Sequence, residues 1–288
     1  MIDLNINRKT GEIIPAIGRK VRESSRYSPD LSKKFKLSRS RFSDFLSCRR
    51  CFYMDVVLGF ASPGIPAFSL NALTDTLLKK EFDLCREKQK PHKLCIENGL
   101  SNLVPFRHPD IDKWRDSLHH GIQLPIKNSN IILTGGVDDI WEDQNNHELV
   151  VVDYKSQAKK YDPNPLTYFD DVYHFGYKLQ LDFYAYLLVS LGYNVSQISY
   201  LLVCNADGNA DGFNGEIKFS QTLIPYEWDI LKIPGQISEM IDCINQIAVP
   251  KRNPGCKNCA YSIRRSSYDH EHLEEIQERD IPKQDTLF

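Results

Sequence analysis

A chain of 288 residues with 41% hydrophobic and 26% charged positions lies in the ordinary globular range, with length for one large domain or two small ones. No run of about 18 apolar residues is present, which excludes a membrane-spanning helix. The polar stretch Met1 to Arg8 lacks an apolar signal region, so a cytoplasmic protein is expected. A formal net charge of −2 argues against coating nucleic acid through bulk charge.

Residues 1–36 are expected to form an irregular basic arm. Between Arg19 and Arg50, eleven Lys or Arg face Glu23, Asp30 and Asp44, a local balance of 11 − 3 = +8. Such a stretch either holds phosphates by releasing counterions or is a solvated surface. Ser38 or Ser40 caps a helix with Phe42, Phe45, Leu46 and Phe52 along one face. Pro63, Gly64 and Pro66 break the chain before a second helix, about Ser69 to Lys90, whose apolar stripe is Leu70, Leu73, Leu77 and Phe82. Pro91 to Lys127 is mixed, with a short helical piece from Ile111 to Leu118. Two β-rich runs follow, Ile131 to Trp141 and Leu149 to Lys155, joined by the polar turn Glu142 to Asn146. Tyr177 to Leu191 reads as a buried helix and Gln197 to Cys204 as a strand. After the loop Asn205 to Asn214, a strand over Gly215 to Leu223 and a helix over Tyr226 to Ile247 are expected. The order predicts an α/β fold, a mixed central sheet flanked by helices, with a polar, poorly ordered tail over 266–288.

In Leu149-Val150-Val151-Val152-Asp153-Tyr154-Lys155 side chains alternate, so Asp153 and Lys155 share one face and Val152 and Tyr154 the other. Charges at a strand end can simply meet solvent. The preceding run, however, reads Gly135-Gly136-Val137-Asp138-Asp139 and brings another acid across the hairpin. Two carboxylates about 4 Å apart repel by roughly 4 kcal/mol at an effective dielectric near 20, equivalent to about three pKa units. Both stay ionised only beside a cation, and Mg²⁺ or Mn²⁺ suits oxygen ligands. Asp138 and Asp153 are therefore candidate metal ligands, with the Tyr154 backbone carbonyl a further one. Lys155 would orient or activate a water and stabilise charge developing on phosphorus, as in metal-assisted hydrolysis.

These residues resemble the RecB-like branch of the PD-(D/E)XK nucleases, which includes the CRISPR-associated exonucleases. The family's G-x-x-D element is matched by Gly135 to Asp138, its D-Y-K element by Asp153-Tyr154-Lys155, and its helical Q-x-x-x-Y element by Gln180 to Tyr184. The resemblance spans about Ser38 to Cys259 and implies a restriction-endonuclease-like core over 37–265. Gln180 and Tyr184, four apart on one helix face, are implied to stand beside the catalytic site; the plainer reading is a core tyrosine and a glutamine bonded to a loop. Where many relatives carry a histidine metal ligand, this chain has Asp75, which is either an oxygen ligand or an ordinary exposed acid. His108, His119, His120 and His174 read as surface or packing residues.

Cys48-Arg49-Arg50-Cys51 and Cys256-Lys257-Asn258-Cys259 are two C-x-x-C elements at opposite ends of this region. A chelate across so long a loop would join chain ends that otherwise fray. Relatives hold an iron–sulfur cluster with one N-terminal and three C-terminal cysteines, whereas Ile263 to Ser267 contains none. A 4Fe–4S cluster, Zn²⁺ and four free thiols all stay open. Cys85, Cys95, Cys204 and Cys243 read as packing residues.

The expected activity is metal-dependent hydrolysis of DNA phosphodiester bonds. The resemblance implies an exonuclease acting on single-stranded or frayed DNA in repair, recombination or defence. The rival readings are a catalytically weak nucleic-acid-binding scaffold and a cluster-bearing subunit of a larger complex. The chain has no P-loop, so unwinding would fall to a helicase partner.

Overall fold

The computed structural model describes residues 4–7, 9–20, 22–60, 62 and 68–272. In chain order, β1 (Phe35–Ser38) leads into α1 (Arg39–Ser47), α2 (Arg49–Val56), α3 (Ser69–Lys88) and α4 (Lys93–Glu97). Next come β2 (Leu103–Pro105), α5 (Ile111–Arg115), β3 (Ile122–Pro125), β4 (Ile131–Gly135), β5 (Asp139–Asp143) and β6 (Leu149–Gln157). The last elements are α6 (Phe175–Ser190), β7 (Ile198–Ala206), β8 (Phe219–Glu227), α7 (Ile233–Asn245) and α8 (Lys257–Glu271). Residues 33–39 and 67–236 form a larger compact unit, and 1–32, 40–66 and 237–288 a smaller one. Neither is a consecutive stretch of chain.

The larger unit holds two sheets, ordered β1-β4-β3 and β2-β5-β6-β7-β8. In the second, β6 and β7 run parallel and the other neighbours antiparallel, the mixed sheet that the pattern predicts. One face of β6 (Val150, Val152, Tyr154) packs with Leu78 and Phe82 of α3 and with Trp141, Leu202 and Leu223. Phe82 lies stacked on Trp141 with ring centroids 5.2 Å apart; truncating such a buried ring costs about 3–5 kcal/mol. α6 packs against β3, β4 and β6.

Several sequence expectations need correction. The run Ile131 to Trp141 is two strands, because β4 ends at Gly135 and β5 starts at Asp139 in the other sheet. A Cβ on Gly135 would stand 2.9 Å from the Tyr184 ring and Leu187, and one on Gly136 2.4 Å from the Ser117 Cβ. Glycine lets the chain cross there. On α3 the buried residues are Leu78, Phe82 and Arg86, while Leu70, Leu73 and Leu77 are about half exposed. The packed stripe is spaced by four and includes a charged residue, so apolar periodicity missed it. The mixed segment Pro91 to Lys127 contains β2 and β3, and the basic arm ends in β1. The strand expected over Gly215 to Leu223 is shifted to Phe219–Glu227, so α7 begins only at Ile233. Within the expected tail, 266–271 belong to α8; 273–288, like Pro63, Gly64 and Pro66, lie outside the described residues.

In the smaller unit α1 and α2 bury Phe42, Phe45, Phe52, Tyr53 and Val56. Tyr27 donates its N–H to the Val56 carbonyl at 2.7 Å and its hydroxyl to Asn245 Oδ1 at 2.9 Å. The basic run is partly met by acids it does not contain: Lys20 and Arg41 pair with Asp55, and Arg49 with Glu239.

Candidate active site

β5 and β6 pair as far as Asp139 opposite Val152. β6 continues to Gln157, so the Tyr154 N–H meets no further β5 acceptor on that edge. The Asp138 carboxylate takes that role, its Oδ2 accepting from the Tyr154 N–H at 2.8 Å. In an extended strand a residue's N–H and C=O leave on the same side, so the Tyr154 carbonyl opens toward Asp138 too. The Tyr154 ring goes the other way, where its hydroxyl donates to Asp139 Oδ2 at 2.9 Å.

On the opposite face of β6, Asp153 is fully buried. Lys155 Nζ pairs with Asp153 Oδ2 and lies 3.3 Å from Gln180 Oε1. Gln180 Nε2 donates to Asp153 Oδ1 at 2.6 Å and to the Tyr184 hydroxyl at 3.0 Å. Lys155 Nζ also sits 5.0 Å from the centre of the Tyr177 ring, which is stacked on buried His174. Thus Lys155, Asp153, Gln180 and Tyr184 form one hydrogen-bonded chain between strand and helix, with Asp138 across the strand end. His174 and His108 pack on aromatic rings, and His119 and His120 are exposed beside Asp116.

Burial first, then the Asp153 charge, push the Asp138 carboxyl up to about 7, against the pull of Lys155, Lys79 and the Tyr154 N–H. Burial alone would depress Lys155, but Asp153 and Asp138 outweigh it and hold the ammonium above its usual range. Burial likewise raises the Tyr184 phenol and the Asp75 carboxyl, the latter opposed by Lys79. A carboxylate that clings to its proton beside another carboxylate is the arrangement a cation reverses. Asp138, Asp153 and the Tyr154 carbonyl are hard oxygen donors, and they fit Mg²⁺ or Mn²⁺.

Asp75 stands differently. Its Oδ2 accepts from Lys79 Nζ at 2.8 Å, and the same ammonium is 3.7 Å from Asp138 Oδ1. One participant and one supporting ion pair were missed in the sequence. Lys79, four residues after Asp75, was open to a helical-pair reading. The other is the buried pair of Asp139 with Arg86, which no local spacing reveals.

The second constellation lies within the smaller unit. Among the described residues, Cys48, Cys51, Cys256 and Cys259 are the one group of at least three His, Cys, Asp or Glu whose ligand atoms all fall within 4.8 Å of one another. Each C-x-x-C starts at a helix: Cys48 is the N-cap of α2 and Cys256 that of α8. Backbone N–H groups and helix dipoles there favour thiolates. Burial works to raise the Cys48 thiol, but the N–H groups of Asn253 and Cys51 and the neighbouring thiols bring it down to about 7. Cys51 is raised by burial and by Cys259 and Cys256. Asn253 Nδ2 donates to the Ser47 carbonyl at 2.9 Å and ties the two turns together. The sulfurs of Cys51 and Cys259, Cys51 and Cys256, and Cys48 and Cys259 are 3.4, 3.5 and 3.8 Å apart.

A mixed sheet in which one central strand carries an acid and a lysine, with an acid just beyond its neighbour and a glutamine on the facing helix, is an α/β arrangement suited to chemistry on phosphodiesters. The chain belongs to the PD-(D/E)XK nuclease superfamily, whose family model matches residues 36–264. The RecB-like branch is consistent with that match. No match was found among curated proteins.

Proposed function

We propose that this chain is a divalent-metal-dependent deoxyribonuclease, an exonuclease of the RecB-like kind acting on single-stranded or frayed DNA. The observation that carries the reading is the Asp138 carboxylate bonded to the Tyr154 N–H beside the Asp153–Lys155 pair. Asp138, Asp153 and the Tyr154 carbonyl would hold Mg²⁺ or Mn²⁺. When bound, such an ion polarises the scissile phosphate and offsets its developing charge. Lys155 holds an ammonium beside the same phosphate and orients the attacking water. Gln180 fixes the Asp153 carboxylate, and Tyr184 fixes Gln180.

The test is degradation of an end-labelled single strand with Mn²⁺ or with EDTA, wild type beside Lys155→Ala. Loss of at least about a hundredfold in the variant is expected; equal cleavage by both proteins removes the assignment.

For the four thiols the sulfur spacings support one tetrahedral ion. A zinc about 2.3 Å from each sulfur sets sulfur–sulfur edges of about 3.8 Å, whereas a 4Fe–4S cubane interposes four irons and spreads them further. Zinc by metal analysis is expected; absorbance near 400 nm with matching iron would favour the cluster.

A second reading is a subunit active only within a larger repair or defence assembly. It draws on four thiols gathered within the smaller unit. Inactivity alone with recovery beside a helicase partner favours it.

A further inference from the structure

We infer that Lys79 is a built-in counter-charge that restricts the nuclease site to a single divalent ion, with Asp75 serving as the partner of Lys79 rather than as a metal ligand. The inference rests on the reading that Asp138 and Asp153 hold that ion.

The geometry is specific. Lys79 reaches back one helical turn to Asp75 Oδ2 at 2.8 Å, and the same Nζ stands 3.7 Å from Asp138 Oδ1. The other oxygen of Asp138 is occupied by the Tyr154 N–H, so Oδ1 is the one left to face an ion, and Lys79 flanks it. The side chains of Lys79 and Asp138 are about one-quarter exposed, which limits screening of their attraction.

The charge count points the same way. Asp75, Asp138 and Asp153 contribute −3, and Lys79 and Lys155 contribute +2, so the formal balance is −3 + 2 = −1. One divalent ion turns that to +1, and a second would turn it to +3 beside two fixed ammonium groups. Two-metal phosphodiesterases need a second carboxylate-lined position. Here Asp75, the further acid beside Asp138, is bonded to a lysine.

The experiment is a count of bound Mn²⁺ by electron paramagnetic resonance, with affinity by calorimetry, on the full chain with its thiol site filled. Mn²⁺ is chosen because it is hard and disfavours thiolates. Wild type and Lys79→Arg are expected to bind one ion, and Lys79→Gln to bind two, or to bind the first at least about tenfold more tightly. Two ions in wild type, or an unchanged count and affinity in folded Lys79→Gln, overturns the inference. Should Lys79→Gln not fold, Asp75→Asn decides: a first-ion affinity within about threefold of wild type upholds the inference, and a larger loss makes Asp75 a ligand and overturns it. No binding at all by wild type sinks the metal reading itself, a different failure.

Discussion

Asp139 is wholly buried, and both its oxygens are engaged: Oδ1 by Arg86 and the Ile140 N–H, Oδ2 by the Tyr154 hydroxyl and the Trp141 indole. Its neighbour Asp138 has one oxygen on a backbone N–H and the other near a lysine. Identical chemistry in adjacent positions therefore serves two ends, since alternate strand residues face opposite sides. Removing one member of a buried ion pair strands the other and costs about 3–5 kcal/mol. Asp139→Ala is thus expected to lower the denaturant-measured unfolding free energy by that amount. Asp138→Asn is expected to keep the fold and lose Mn²⁺ binding. Equal destabilisation by the two changes would refute this division.

At the scale of elements, two joints of α6 can be tested. Gly135→Ala pushes a methyl against the Tyr184 ring and Leu187. A cost of about 1–3 kcal/mol is expected, together with a fall in kcat through the Gln180–Asp153 bond and little change in KM. Asp182 on α6 accepts from the Tyr226 hydroxyl at 3.0 Å and the Asp229 N–H at 2.9 Å. Burial nevertheless lifts its carboxyl to about 6. A raised carboxyl contributes stability that is present below its unfolded value, near 4, and lost as pH rises through 6. The Tm of Asp182→Asn minus that of wild type should therefore rise between pH 4 and 7, and a difference that falls with rising pH would contradict this. The strand of the candidate site was legible because Val150 to Val152 followed by Asp-Tyr-Lys is an apolar run with a charged end. The sheet crossing at Gly135–Asp138 was not, because a glycine pair inside an apolar run reads equally as a bulge. β2 and β3 hid for a different reason: each is three or four residues long and ends in proline. The α3 stripe misled because Arg86 takes a buried position that only its distant partner Asp139 explains.

For the whole molecule, the two compact units give metal removal a local readout. Binding free energy at a structural metal site is folding free energy for the segment it closes. Chelation, or Cys256→Ser, is expected to expose residues 40–60 and 237–272 to protease. The larger unit should survive, with residues 33–39 retained on a fragment close to 68–236, as seen by mass spectrometry. A uniform loss of protection across both units would count against this. The acids and lysine of the candidate site all lie in the larger unit, and all four clustered thiols in the smaller.

That interleaving has a consequence at the ribosome. Cys51 and Cys256 are 205 residues apart, and translation at about 5–20 residues per second separates their synthesis by about 10–40 s. The last residue of the larger unit is made before Cys256. Over that interval the nascent polypeptide carries a lone Cys48–Cys51 pincer, and oxidants or a wrong metal meet two thiols where the finished protein offers four.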